Sequence, residues 1–374
     1  MHLLMYNSLT NQSGSGVRFW SIAQEMANLG NSVLFSERTV PGTKNRETTR
    51  VTYRGVEDTG VLWLDILRAI LSNLWYGYLF RPTHIFSLKP MPNSAMPAIL
   101  LKPLLKCKII LDIDDLDFDY YSGSLKRGLV RFCFSWLPRY FDLITTHNPN
   151  LYRYITEVLG LPRDRVFYLA QGVEAERFLQ GSPVESLQRK YNICTDDNVI
   201  VYSASLGITS DFEYILPMLI KFLKAYDDAK ILVTGDGSRR EHFSREVEAS
   251  GLHGRMIFTG YVPHDDMPGI LKLARVGINY MAPTWANHCR ASIKIREYLA
   301  AGLSVVCNAV GDAELFKDYV TLCSTIEEFP AAIRQALTLQ NLDSSKRGQE
   351  FVKRTFAWPH LVEGFVEYLQ RVAP

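Results

Sequence analysis

Short apolar runs alternate with amphipathic stretches along this chain, and turn signals separate them. His2 to Tyr6 reads as a first strand, Ser13-Gly-Ser-Gly16 as a tight turn, Val17 to Leu29 as a helix closed by Gly30, and Asn31 to Ser36 as the next strand. Strand, glycine loop, helix, strand is how a Rossmann-like half begins. The glycine pair lacks the full G-x-G-x-x-G spacing, so it carries no dinucleotide reading, although small residues there let another group approach the backbone. Thr83 to Leu88, Lys108 to Leu111 and Phe141 to Thr146 continue the strand series, and Asp164 to Gly172 ends it. Gly181-Ser-Pro183 is a linker signal and sets a domain boundary near 180. The second half repeats the scheme, with strands at Asn198 to Ser203, Lys230 to Thr234 and Met256 to Thr259, then a helix over Asp265 to Leu273.

Val276 to Met281 and Leu303 to Cys307 read as buried parallel strands. Between them, Ser292 to Ala301 reads as one amphipathic helix. Ser292 is the expected N-cap, Ile293, Tyr298 and Leu299 are apolar, and Gly302 tolerates a left-handed C-terminal turn. A strand–loop–helix–strand unit puts the helix start at the carboxyl end of a parallel sheet, where open α/β folds bind ligands. Lys294 and Glu297, three apart, share a face near that start, where free N–H groups and the dipole favour phosphate. An ammonium for a diphosphate and a carboxylate for two ribose hydroxyls fit the pair. An ordinary solvated helix pair is the plain alternative.

At these residues a resemblance enters. Ser292 followed by Lys294-x-x-Glu297-Tyr298-x-Ala300-x-Gly302 resembles the carboxyl-terminal nucleotide-sugar signature of retaining glycosyltransferases of the GT-B fold, family 4. Phe258-Thr-Gly-Tyr-Val262 is similar to that family's Phe-x-Gly-x-Val element. Gln171-Gly-Val173 with Phe178 is similar to its hinge motif, with Gln171 in place of Asn and Glu174 in place of Asp. The resemblance implies an α/β chain of two Rossmann-like domains facing across a cleft. Residues 1–180 would bind the acceptor, with a terminal helix over 358–374 packed back on them, and 181–357 would bind the donor. Glu297 would then hold the ribose, Lys294 and the Ser292 helix start the diphosphate, and Tyr261 and Val262 the base edge. Arg290, Ser205 and Gly235 complete the donor set. Gly14, Ser15 and Gly16 would form a loop beside the phosphates and acceptor, with Asp114 and His147 close by. Asp114 and Lys294 are the implied catalytic residues. The implied reaction is hexosyl transfer from a nucleotide diphosphate-sugar co-substrate to a glycan or lipid-linked acceptor, with retention of configuration and with no metal or other cofactor.

Several residues complicate that picture. Asp112-Ile-Asp114-Asp115 stands at a strand end, and alternation would point Asp112 and Asp114 to one face, as a metal-holding pair requires. A carboxylate that orients an acceptor hydroxyl and a solvated strand-end cluster are the other two readings. Cys289 occupies a position, eight before Glu297, where the family commonly has an acid. The stretch Ser203 to Asp211 holds no cation where the family commonly has Arg and Lys, so a departing diphosphate would lean on Lys294 and Arg290. A rival reading follows from these departures: a catalytically impaired nucleotide-sugar or glycan-binding partner of an active transferase. An epimerase of the same two-lobe fold lacks a visible base-and-acid pair.

At 374 residues the chain exceeds one ordinary core, which agrees with two domains. A hydrophobic share of 47% against 21% charged argues against disorder, and a net charge of +2 gives no polyelectrolyte-binding signature, so nucleic acid is not an expected partner. Six scattered cysteines with no CxxC pair read as reduced thiols. The N-terminus turns polar too soon for a signal peptide, and Val61 to Phe80 is broken by Asp65, Arg68, Ser72 and Asn73. The expected location is cytoplasmic, or peripheral on the inner face of a membrane. The second option comes from Leu125 to Tyr140, which carries Lys126, Arg127, Arg131 and Arg139, no acid, and Leu125, Leu129, Phe132, Cys133, Trp136 and Tyr140 on one helical face. Such a segment can lie on an anionic membrane surface, or pack on the sheet with its arginine tips in water.

Overall fold

In the computed structural model, residues 12, 44–45, 47, 121–122, 180–183, 208–209, 339–341 and 373–374 are outside the described set, and every statement of absence below concerns the described residues. The expected linker 181–183 falls outside that set. The chain divides into one unit of Met1–Gln171 with Trp358–Pro374 and a second of Gly172–Ala357.

The first unit runs β1 (His2–Thr10), α1 (Gly14–Asn28), β2 (Ser32–Thr39), β3 (Val51–Glu57), α2 (Leu62–Phe80), β4 (His84–Leu88), α3 (Pro92–Leu105), β5 (Lys108–Asp112), α4 (Ser124–Trp136), β6 (Leu143–Thr146), α5 (Pro149–Arg153) and β7 (Val166–Tyr168). All its ladders are parallel, in the order β3-β2-β1-β4-β5-β6-β7, so the winding direction reverses between β1 and β4. Helix α1 begins earlier than the glycines led us to expect. The Ser13 hydroxyl accepts the Gly16 N–H at 3.0 Å, which makes Gly14, Ser15 and Gly16 the first turn of the helix and not a loop. Phe19, Phe35, Phe86 and Ile110 are buried in one core with Trp358, Val362, Phe365 and Leu369 of the last helix.

The second unit runs α6 (Ala175–Leu179), α7 (Val184–Tyr191), β8 (Asn198–Ser203), α8 (Phe212–Ala225), β9 (Ala229–Thr234), α9 (Arg240–Ala249), β10 (Met256–Gly260), α10 (Met267–Lys272), β11 (Val276–Asn279), α11 (Trp285–His288), α12 (Ile293–Ala300), β12 (Ser304–Asn308), β13 (Thr321–Cys323), α13 (Phe329–Thr338) and α14 (Leu342–Phe356). Then α15 (Trp358–Val372) belongs to the first unit. The second sheet is also parallel, in the order β10-β9-β8-β11-β12-β13, with its reversal between β8 and β11. Ile200, Tyr202, Ile231, Val276 and Ile278 of this sheet are buried with Phe212, Leu219 and Phe329 of the flanking helices. Each unit is therefore a Rossmann-like layer of parallel strands and helices with its own core.

Candidate functional site

In the second unit, the crevice rule for open sheets points to the carboxyl ends of β8 and β11, where the winding reverses. Helix α12 follows β11 there. Ser292 occupies the N-cap position, but its hydroxyl is not the cap that the sequence predicts. It donates to Asn279 Oδ1 at 2.9 Å, and no side chain caps the helix. The Ser292 N–H is taken by Asp312 Oδ1 at 3.0 Å. The start of α12 is thus fixed from outside, by β11 and by the loop after β12. Uncapped first-turn N–H groups are donors of the kind that phosphate accepts.

Glu297 is buried one turn into this helix, and no hydrogen bond from a described residue reaches its carboxylate. Burial pushes its pKa from 4.5 up to about 7, while Lys294 and Arg177 pull it down and Glu174 pushes it up. The nearest cationic candidate is His264, with Nδ1 3.7 Å from Glu297 Oε1; burial and then Arg177 hold that imidazole below its ordinary range. Lys294 forms no ion pair with a described residue. Desolvation and the neighbouring Arg290 lower it from 10.5 to about 8, against the pull of Asp211 and Glu297. The two residues are a solvated pair in neither case: both are held in a desolvated spot that disfavours their charges, and a ligand bearing hydroxyl donors and anionic oxygens would relieve both.

The other donor-set residues gather at the same sheet end. Gly235 has φ +127°, a conformation only glycine adopts readily, and a Cβ there would run into the Ala204 carbonyl next to Ser205. Its N–H bonds Gly260 O at 3.0 Å, tying the end of β9 to that of β10. Ser205 and Tyr261 are exposed and Val262 half-buried on the following loops. Arg290 donates to Asn287 Oδ1 at 3.4 Å, Asn287 donates to Asp211 Oδ2 at 3.1 Å, and Cys289 is fully buried beside them. Asp211, which closes the cation-free stretch, thus lies among the cations, and burial raises its pKa. Sequence reasoning missed Asp211, Arg177, Glu174 and His264. His264 follows the Tyr261–Val262 element in sequence and was the legible one; Arg177 comes from α6, with no local signal.

In the first unit, the Asp112–Asp114 pair separates into two ion clusters. Strand β5 ends at Asp112, so strand alternation does not reach Asp114. Asp112 is engaged at both oxygens, by Arg18 Nε at 3.2 Å and by the Thr145 hydroxyl at 2.5 Å, and Arg18 also donates to Leu169 O and Ala170 O. Asp114 Oδ1 lies 3.2 Å from Nζ of Lys89, which also reaches Asp117 at 2.8 Å. Burial opposes ionisation of Asp114, but Lys89, His147 and the Ser15 hydroxyl outweigh it and hold the carboxyl below the usual range. So Ser15, Asp114 and His147 do come together, and Gly16 sits where a Cβ would press on Ser13 Oγ at 2.7 Å and Asn7 Nδ2 at 2.9 Å. Lys89 was not anticipated. It is buried with φ +60°, and burial lowers its pKa less than the three carboxylates raise it. Among the described residues no group of three or more His, Cys, Asp or Glu side chains is disposed to hold a metal ion.

Residues 197–339 match the family model described as Glycosyl transferases group 1. Among curated relatives, the putative glycosyltransferase YtcC of Bacillus subtilis is 24% identical over 238 residues, covering 59% of this chain and 58% of its own. The uncharacterized glycosyltransferase MJ1607 of Methanocaldococcus jannaschii is 23% identical over 171 residues, covering 45% and 42%. The chain thus spans about half the length of these relatives. Sucrose-phosphate synthase from Thermosynechococcus elongatus superposes with a TM-score of 0.80 at 14% identity, over 100% of this chain and 99% of that one. Anabaena Alr3699/HepE in complex with UDP and glucose gives 0.77 at 12% identity over 99% and 100%. WaaG, a glycosyltransferase involved in lipopolysaccharide biosynthesis, gives 0.71 at 16% identity over 97% and 98%. At such identities the likeness shows the fold, which is that of GT-B glycosyltransferases.

Proposed function

We propose that this chain is a glycosyltransferase of the hexosyl-transferring kind, using a nucleotide diphosphate-sugar and a glycan or lipid-linked acceptor. The observation that carries the reading is the pair on α12: a buried carboxylate without a donor and a desolvated ammonium, both at the carboxyl end of a parallel sheet beside an uncapped helix start. Two ribose hydroxyls would supply the donors that Glu297 lacks. A diphosphate would accept from the first-turn N–H groups and hold Lys294 more firmly in its charged form. Arg290 adds the second cation that a leaving diphosphate wants. The match over residues 197–339 supports placing the donor on this unit.

Asp114, kept ionised by Lys89, is a weak base at neutral pH but a good hydrogen-bond acceptor, so its role would be to orient the acceptor hydroxyl. Retention of configuration and metal independence are carried over from the family resemblance; the engagement of Asp112 by Arg18 and Thr145 supports the second. A thermal-shift screen across UDP, GDP, ADP and their sugars identifies the donor, because a ligand of the folded state raises apparent stability by mass action. Glu297→Ala should abolish nucleotide binding in a calorimeter; unchanged affinity removes the ribose role. The second reading, a binding partner without turnover, is favoured by one observation, the buried thiol of Cys289 where the family commonly carries an acid. Binding without transfer or hydrolysis across the same sugar panel would establish it.

A further inference from the structure

Helix α2 packs the wrong way round for a helix lying on a sheet in water. Its buried positions are Asp65, Ala69, Asn73 and Gly77, four apart and therefore one stripe. That polar, small stripe is built to face the protein. Asp65 accepts from the Thr59 N–H and hydroxyl, and Asn73 accepts from Ser36 and donates to Asn93 O at 2.8 Å. At Gly77 a Cβ would lie 2.5 Å from the Tyr6 hydroxyl. The opposite face carries Trp63, 69% exposed, with Leu67, Leu71, Trp75 and Leu79, all exposed. Helix α3 shows the inversion in part: it buries Asn93, Ser94, Ala95 and Ala98 along with Pro97 and Leu101, while Leu100 is exposed and Leu104 stands 70% exposed. In α4 the aromatic face also points outward. Leu125 is 88% exposed, and Leu129, Phe132 and Trp136 are exposed with it, while Cys133, which the periodicity put on that face, is buried with Phe134. Right-handed crossovers put α2, α3 and α4 on one side of the sheet. Lys102 of α3 ties into the segment after α4, donating to Tyr140 O at 3.1 Å.

We propose that this apolar face seats on the surface of an anionic lipid bilayer. Charge selects that occupant. The three helices carry Arg68, Lys102, Lys126, Arg127 and Arg131 against one acid, Asp65, which is buried and bonded inward; of the five cations, Lys102 pairs with Asp142 at 2.7 Å and Arg127 with Asp119 at 2.9 Å. Beside α2, a cavity of about 550 Å³ against the edge strand β3 is lined by Arg54, Arg68, Tyr76 and one acid, Glu57, with the Arg54 guanidinium 4.9 Å over the Tyr76 ring. It places two guanidiniums next to Leu71, where headgroup phosphates of a bilayer touching that leucine would lie. A second copy of the chain, packed isologously, would instead bring these cations against their own counterparts. Trp63, Trp75 and Tyr78 are side chains that favour the headgroup layer. No helix among the described residues is long and apolar enough to cross a membrane, so the helices lie on it.

The test is flotation of the full chain with phosphatidylcholine vesicles, with and without phosphatidylglycerol. The expected result is flotation with the mixed vesicles, a blue shift of tryptophan emission, and a drop of at least ~10-fold in partitioning for Leu67→Glu/Leu71→Glu. Arg127→Glu/Arg131→Glu should lose the preference for the anionic lipid. All four positions are exposed, and unchanged circular dichroism and melting temperature would show that the variants fold. Absence of flotation overturns the proposal, as does flotation that neither pair alters. A dimer in sedimentation that Leu67→Glu/Leu71→Glu dissociates, without lipid binding, assigns the face to a second copy. None of these measurements involves nucleotide or sugar, so the outcome leaves the transferase reading to its own tests.

Discussion

Glu297 makes the fold pH-sensitive in a definite direction. In the folded chain its proton is held up to about 7, whereas an ordinary glutamate releases it at 4.5. Between those values the folded state binds more protons than the unfolded one, so stability falls as pH rises through the window. A shift of that size corresponds to about 3 kcal/mol, with the pull of Lys294 and Arg177 already included in it. Glu297→Gln should therefore flatten the melting temperature against pH between 4.5 and 7 and leave the variant more stable than the parent at pH 8. A slope unchanged by the substitution would mean that the carboxylate is better solvated than its burial indicates. Lys294 acts on the alkaline side. It loses its proton near 8 when folded and near 10.5 otherwise, so stability should rise with pH across that interval. The first unit has an opposite case in Lys89, whose ammonium pairs with Asp114 and Asp117. Lys89→Met removes the cation facing buried Asp114 and half-buried Asp117, and urea unfolding should show a loss of roughly 3–5 kcal/mol.

At the scale of elements, the donor site depends on how the start of α12 is held. Arg296 is fully buried. It donates to Ser292 O at 2.9 Å and to Asp312 Oδ2 at 2.6 Å, and its guanidinium lies 4.9 Å from the Phe316 ring centroid and 4.5 Å from that of Phe356. Asp312 in turn accepts the Ser292 N–H. Arg296→Met keeps the bulk but strands Asp312, so we expect a stability loss of roughly 3–5 kcal/mol. UDP affinity measured by calorimetry should fall as well, although Arg296 is not placed against the nucleotide. If stability drops and affinity does not, the clamp serves the fold alone. Neither the clamp nor its consequence was legible beforehand. Periodicity locates the helix and its end, and Gly302 indeed takes φ +78°, because those signals are local. An arginine inside an amphipathic helix reads as a solvated tip, and only the partners far along the chain, Asp312 and the two phenylalanines, turn it inward. The same limit explains why the Ser292 hydroxyl goes to Asn279 instead of capping, and why Lys89 was invisible in a Leu-Lys-Pro context. It also explains the inverted face of α2: its apolar positions were plain in the sequence, and which side met the sheet was decided by Asp65, Asn73 and Gly77.

For the whole molecule, the repeat of strand and helix was enough to read two Rossmann-like units, since each parallel sheet draws its core from its own flanking helices. Division of labour between the units is a stronger claim and has a direct test. If the nucleotide belongs to the second unit, the backbone it protects lies at the carboxyl ends of that sheet. Hydrogen exchange with saturating UDP should then slow amides over 235–237, 260–264 and 290–297, which lie at the ends of β9 and β10 and at the uncapped α12 start. The strands β8 and β11 are already buried and should change little. Glu297→Ala should erase the footprint without altering exchange in the first unit. Should protection by UDP appear instead over 13–16 and 112–117, the Ser15–Asp114 cluster would be the nucleotide site, and the roles assigned to the two units would have to be exchanged.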